Sequence, residues 1–103
     1  MIDPPEKSST WTFLTNHAHV LLCLVQSPSM TMRDISRRVG ITERAVQRII
    51  ADLRDEGYVS QDREGRRNTY AIDSERHLRH PIEAHRRIKD LVSLIYDDPG
   101  GVR

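Results

Sequence analysis

The stretch Met30-Thr31-Met32-Arg33-Asp34-Ile35-Ser36-Arg37-Arg38-Val39-Gly40-Ile41-Thr42-Glu43-Arg44-Ala45-Val46-Gln47-Arg48-Ile49-Ile50-Ala51-Asp52-Leu53-Arg54-Asp55-Glu56-Gly57 contains two helix starts in quick succession. Thr31 followed three residues on by Asp34 makes a capping-box-like start, and Met30 and Ile35 have the spacing of a hydrophobic staple across it. Eleven residues further the device returns, with Thr42 as the cap and Ile41 and Val46 as the staple. Starts this close leave room for one short helix over residues 32–39 and a tight turn at Gly40, where a positive φ would strain any side chain. A longer helix is predicted over residues 43–56, with Val46, Ile49, Ile50 and Leu53 on one face and Gly57 at its end.

Upstream, Ala18, Leu21, Leu22 and Val25 predict the buried face of a first helix, capped by Thr15 or Asn16, running to about Gln26 and stopped by Ser27-Pro28-Ser29. Thr10-Trp11-Thr12-Phe13-Leu14-Thr15 alternates as a short strand would, and reads equally as a lead-in packing Trp11 and Phe13 onto the domain. Downstream, residues 58–62 and 68–73 carry Tyr58, Val59, Tyr70 and Ile72 and flank Arg63-Glu64-Gly65-Arg66-Arg67, which predicts a β-hairpin with a basic tip. Pro81 suits the first turn of a last helix reaching about Tyr96, striped by Ile88, Leu91, Val92 and Ile95. Residues 1–9 and 97–103 read as disordered ends, residues 10–75 as the main domain, and 76–96 as a linker with the last helix.

With 103 residues there is room for one small core. Hydrophobic residues make up 37% and charged residues 30%, so the core is aliphatic and the surface strongly solvated. Sixteen basic against 15 acidic residues give a net charge of +1, too balanced for coating nucleic acid by bulk charge, so any such binding depends on local placement. Fourteen of the basic residues are Arg, which forks onto phosphate and guanine better than Lys, although a genome rich in G and C produces the same bias. The single cysteine, Cys23, suits a reducing compartment. Its apolar run, Val20 to Val25, is far below the ~20 residues that span a bilayer. The opening residues lack the basic-then-apolar layout of a signal peptide, and a cytoplasmic location is expected.

Helix, glycine turn, longer helix and a hairpin with an Arg-rich tip follow the order of a winged helix-turn-helix. The expected class is mainly α with a small β-hairpin, an α+β winged helix-turn-helix with a C-terminal dimerisation helix. Apolar Ile35, Val39, Ile41, Val46 and Ile49 would lock the helix pair, and small Ser36 would permit close approach. The run from Arg33 to Arg48 resembles the DNA-reading unit of winged-helix bacterial transcription regulators grouped with the MarR and ArsR families. The resemblance covers roughly residues 15–96 and implies a homodimer on pseudo-palindromic duplex DNA. The chain lacks the cysteine pair that ArsR-type sensors often carry in the first helix of this unit, and its wing spaces Asp and Arg differently from the usual MarR wing.

The residues give the same mechanism without the family. With the apolar face inward, Glu43, Arg44, Gln47 and Arg48 project outward near the helix start, the end that enters a major groove. Arg can fork onto guanine, Gln onto adenine, and Glu can accept from cytosine. Thr42, with Thr31, Arg33 and Arg37 on the preceding helix, suits phosphate contacts that fix register. Arg63, Arg66 and Arg67 would reach flanking backbone or minor groove, partly diluted by Asp62 and Glu64. Ile88, Leu91, Val92 and Ile95 would form the dimer interface. Sequence-specific binding of double-stranded DNA by a dimeric repressor is therefore expected. Alternatives are a winged-helix protein-interaction module and a metal-responsive sensor. His17 and His19 would splay on a helix and Pro81 separates His80 from His85, so no metal and no cofactor are expected. No phosphate loop or nucleophile motif is present, which argues against an enzyme.

Overall fold

The computed structural model describes residues 10–96. The two predicted disordered ends lie outside the described residues. The elements run α1 (Asn16–Gln26), α2 (Met32–Val39), α3 (Glu43–Asp55), β1 (Val59–Glu64), β2 (Arg67–Ile72) and α4 (Ile88–Tyr96). Among the described residues, four helices and one antiparallel hairpin make the expected α+β class.

Each of the first three helices starts on a threonine hydroxyl. The Thr15, Thr31 and Thr42 side chains accept the backbone N–H of Ala18, Asp34 and Ala45 at 3.2, 3.1 and 3.0 Å. Gly40 ends α2 at φ 86°, so its amide and that of Ile41 both donate to the Ser36 carbonyl. Gly57 ends α3 at φ 83°, and here space is restricted as well: a Cβ would collide with the Arg76 guanidinium, which donates to the Glu56 carbonyl.

The first helix is more central than its expected face implied. Five consecutive residues, Val20 to Leu24, are buried, whereas Ala18 and Val25 are only half-buried. α1 meets α2 and α3 on one side and the hairpin on another, so nearly its whole circumference is covered. Its partners in the core are Ile35, Val46, Ile49, Ile50, Leu53, Tyr58, Val59, Tyr70 and Ile88. Burial also pushes the Cys23 thiol above its ordinary pKa, against a smaller lowering by Arg38.

The lead-in forms no strand, and Trp11 and Phe13 do not pack onto the core: they are 66% and 91% exposed, stacked edge to face at 5.0 Å. The last helix begins at Ile88, later than Pro81 suggested. Residues 77–87 instead form a loop closed by an antiparallel bridge between His77 and Arg87. The Leu78 amide donates to the Arg86 carbonyl at 2.9 Å, Ile88 to Arg76 at 2.8 Å, and the Tyr58 hydroxyl to the His77 carbonyl at 2.7 Å. Proline fits the first turn of a helix and an ordinary turn equally well, and these longer-range bonds select the turn.

Candidate nucleic-acid interface

α2, the Gly40 turn and α3 place their charged residues on one surface because Ile35, Val46, Ile49 and Ile50 are committed to the core. Glu43, Arg44, Gln47 and Arg48 are all exposed at the start of α3. Thr31, Arg33, Arg37 and Thr42 are exposed as well. The two threonines use their oxygens as helix caps, which leaves each hydroxyl hydrogen available to a phosphate oxygen. The amides of Glu43 and Arg44 lie in the first turn, where an α-helix offers no internal acceptor. Glu43 stabilises this positive helix end, so part of its role is structural.

The hairpin is longer and tighter at its tip than expected. Glu64 pairs with Arg67, which leaves a loop of Gly65 and Arg66 alone. Gly65 has φ 65° while Arg66 does not have positive φ, the pattern of a II′ turn. The three wing arginines therefore do not share one surface. Arg63 lies on the hairpin face of Val59, Gln61 and Tyr70, Arg67 lies on the opposite face directly across from Glu64, and Arg66 occupies the turn. Arg54, in the last turn of α3, donates to the Gln61 side chain at 2.7 Å and so ties the helix to β1. That link was not foreseen, since nothing local in the sequence pairs positions seven residues apart across a turn.

Among the described residues, Arg33, Arg37, Arg44, Arg48, Arg63, Arg66 and Arg67 form no ion pair. Elsewhere Arg79 pairs with Glu56 at 3.4 Å, and Arg87 and Lys89 pair with Glu75 at 2.7 and 3.5 Å, while Arg86 forms no ion pair among the described residues. The residues expected at the dimer interface are divided. Ile88 is 4% exposed in the single chain and Val92 packs against the same core, which corrects their assignment to an outer face. Leu91 is half-buried, while Leu94 and Ile95 are exposed. Among the described residues no three His, Cys, Asp or Glu side chains are grouped to hold a metal ion, and His17 is instead bonded to Asp52 at 2.9 Å. No helix of the described residues is long and apolar enough to cross a membrane.

A short helix, a glycine turn, a second helix and a two-stranded wing on a third helix define a winged helix-turn-helix. Residues 15–60 match the family model described as winged helix-turn-helix DNA-binding. The crystal structure of a predicted DNA-binding transcriptional regulator from E. coli is similar over 78% of this chain and 73% of its own, with a TM-score of 0.54 and 20% identity, a likeness of fold. A second solved structure, the zinc-dependent MarR family transcriptional regulator AdcR in its Zn(II)-bound state, is 25% identical with a TM-score of 0.45. That alignment covers 62% of this chain and 46% of AdcR, so the chain spans less than half of that regulator. No curated protein matches the sequence.

Proposed function

We propose that the chain is a transcription regulator that binds double-stranded DNA sequence-specifically, acting as a homodimeric repressor. The observation that carries this reading is the group of exposed arginines without ion pairs on α2, the start of α3 and the wing; at the other end Arg79 and Arg87 are matched with carboxylates, and Arg86, among the described residues, is not. Arg44, Gln47, Arg48 and Glu43 read base edges in a major groove, and Thr31, Arg33, Arg37 and Thr42 hold the flanking phosphates. Arg66, at the turn, leads the wing onto backbone or minor groove, with Arg63 and Arg67 on its two faces. The winged helix-turn-helix match over residues 15–60 supports the same partner.

A dimer supplies the second half-site. One module covers only about 600 to 1,000 Å² on DNA, and two half-sites about 10 bp apart are the usual route to useful specificity. Leu91, Leu94 and Ile95 on α4 supply the apolar surface that the single chain does not bury. Selection of bound duplexes from a random pool, read by sequencing, should enrich a pseudo-palindrome with that half-site spacing. A pool that emerges without any enriched sequence rejects base reading.

A further inference from the structure

We propose that the groove between the start of α1, the end of α3, the 77–87 loop and α4 is a binding site for a lipophilic organic cation. The groove encloses about 850 Å³, within the roughly 300 to 1,000 Å³ typical of small-molecule sites. Its bed is the outer surface of the core at Leu21, Leu53 and Ile88, extended by Leu91 and Phe13. Around this bed stand four carboxylates, Asp52, Asp55, Glu56 and Glu83, against one guanidinium, Arg79. Arg79 is paired with Glu56, and Asp52 is bonded to His17. Asp55 and Glu83 form no ion pair among the described residues. The His80 Nδ1 accepts the Ile82 amide at 3.0 Å.

An apolar bed ringed by unmatched negative charge selects its occupant chemically. An anion meets repulsion, and a neutral apolar molecule gains burial alone. A cation with an apolar body gains burial, attraction to Asp55 and Glu83, and the face of Phe13. The 13 residues of α3 span about 20 Å, which keeps this groove apart from the helix start assigned to DNA. The site therefore stands or falls independently of DNA binding, and its test uses the protein alone.

The probes are tetraphenylphosphonium and tetraphenylborate, which share size and shape and differ in sign. Added to the full chain labelled with nitrogen-15, the cation should saturably shift amide resonances of residues 52–58, 78–83 and 88–91. It should also change the fluorescence of Trp11, the single tryptophan, which stacks on Phe13. Tetraphenylborate should bind about ten-fold more weakly or worse. Asp55→Asn combined with Glu83→Gln alters two exposed side chains outside the core, and should weaken cation binding by about ten-fold while leaving the rest of the spectrum in place. Equal or tighter binding of the borate overturns the proposal, as does undiminished cation binding by the folded double variant. Resonances of residues 52–58 and 78–83, away from the α4 surface assigned to the dimer, that move with protein concentration and that the cation does not reverse would assign the groove to a second copy of the chain and equally overturn it.

Discussion

The two ends of α3 use the same residue types in opposite ways. At its start, Arg44 and Arg48 stand exposed, as do Arg33 and Arg37 of α2, and none of the four forms an ion pair among the described residues. Beyond its end, Arg76 clamps the Glu56 carbonyl, Arg79 pairs with Glu56, and Arg87 pairs with Glu75, which leaves Arg86 as the arginine there with no such partner among the described residues. A net charge of +1 conceals this segregation, because matched and unmatched arginines count alike in a sum. The difference is functional in kind: an arginine already satisfied by a carboxylate gains little from a phosphate, whereas an unmatched one brings its full charge and fork geometry to a partner.

The contrast is tested most severely by separating the two copies. Replacing Leu91 and Ile95 together with Glu places charge at one half-buried and one exposed position of α4 and spares Ile88 and Val92, which the single chain needs for its core. The variant should sediment as a folded monomer and lose most of its affinity for a duplex with two half-sites. A parent protein that is already monomeric at micromolar concentration contradicts the dimer. The next largest effect belongs to the start of α3. Arg44→Ala and Arg48→Ala should each cost about 1 to 3 kcal/mol of binding to the selected duplex and relax its preference at one position per half-site. Both side chains are exposed, so thermal unfolding should be unchanged. Undiminished affinity in both variants would remove the base-reading assignment.

Arg66→Ala with Arg67→Ala probes the wing, where the effect should appear on specific and random duplexes alike. Phosphate contacts release counterions, so the slope of log affinity against log salt should become shallower by roughly 2 to 4 units for a dimer. The cross-strand pairing refines the expectation: Arg67 faces Glu64 while Arg66 sits in the turn, so the single Arg66→Ala variant should account for most of the change. Equal contributions would show that the cross-strand carboxylate does not restrain Arg67.

What could be read from the sequence divides along the same line as local and distant contacts. The helix pair was legible because each of its starts lies within a few residues of its own cap: Thr31 reaches the Asp34 amide, Thr42 the Ala45 amide, and Gly40 adopts the left-handed turn. The outward set from Glu43 to Arg48 followed directly from the inward set, since a helix has only one other side. The 77–87 loop was not legible, because its conformation rests on Tyr58, Arg76 and Ile88, none of which marks the loop in a local window. The burial of Ile88 was hidden for a related reason: an apolar stripe does not say whether its cover comes from the same chain or another. The wing lay between these cases, since its Gly65 was visible but the strand pairing that splits its arginines depends on register.

Gly40 and Gly57 offer a stability comparison between the same two ends. Each has positive φ, so alanine at either costs on the order of 1 to 2 kcal/mol from backbone strain. At Gly40 a Cβ meets nothing, whereas at Gly57 it strikes the Arg76 guanidinium and displaces the clamp on Glu56. Gly57→Ala should therefore lower the melting temperature more than Gly40→Ala. The reverse order would show that the Arg76 contact contributes nothing.

The smallest expected effects come from Arg79→Ala and Arg87→Ala, and their smallness carries information. Both ion pairs are substantially exposed, with side-chain exposures of 66% and 54% for Arg79 and Glu56, and 43% and 60% for Arg87 and Glu75. Solvent screening and the entropy of holding two long side chains limit such pairs to about 0 to 1 kcal/mol, which for a domain of this size corresponds to a melting shift of at most about 4 to 8 °C. Arg87 should stand at the upper end, because its guanidinium donates both to the Glu75 carboxylate at 2.7 Å and to the His77 ring at 3.4 Å, across the mouth of the 77–87 loop. Neither variant should change duplex affinity or its salt slope, although each removes one positive charge, as Arg44→Ala does. If removing Arg79 or Arg87 weakened DNA binding as much as removing Arg44, net charge rather than its placement would govern recognition, and the distinction between the two ends of α3 would fail.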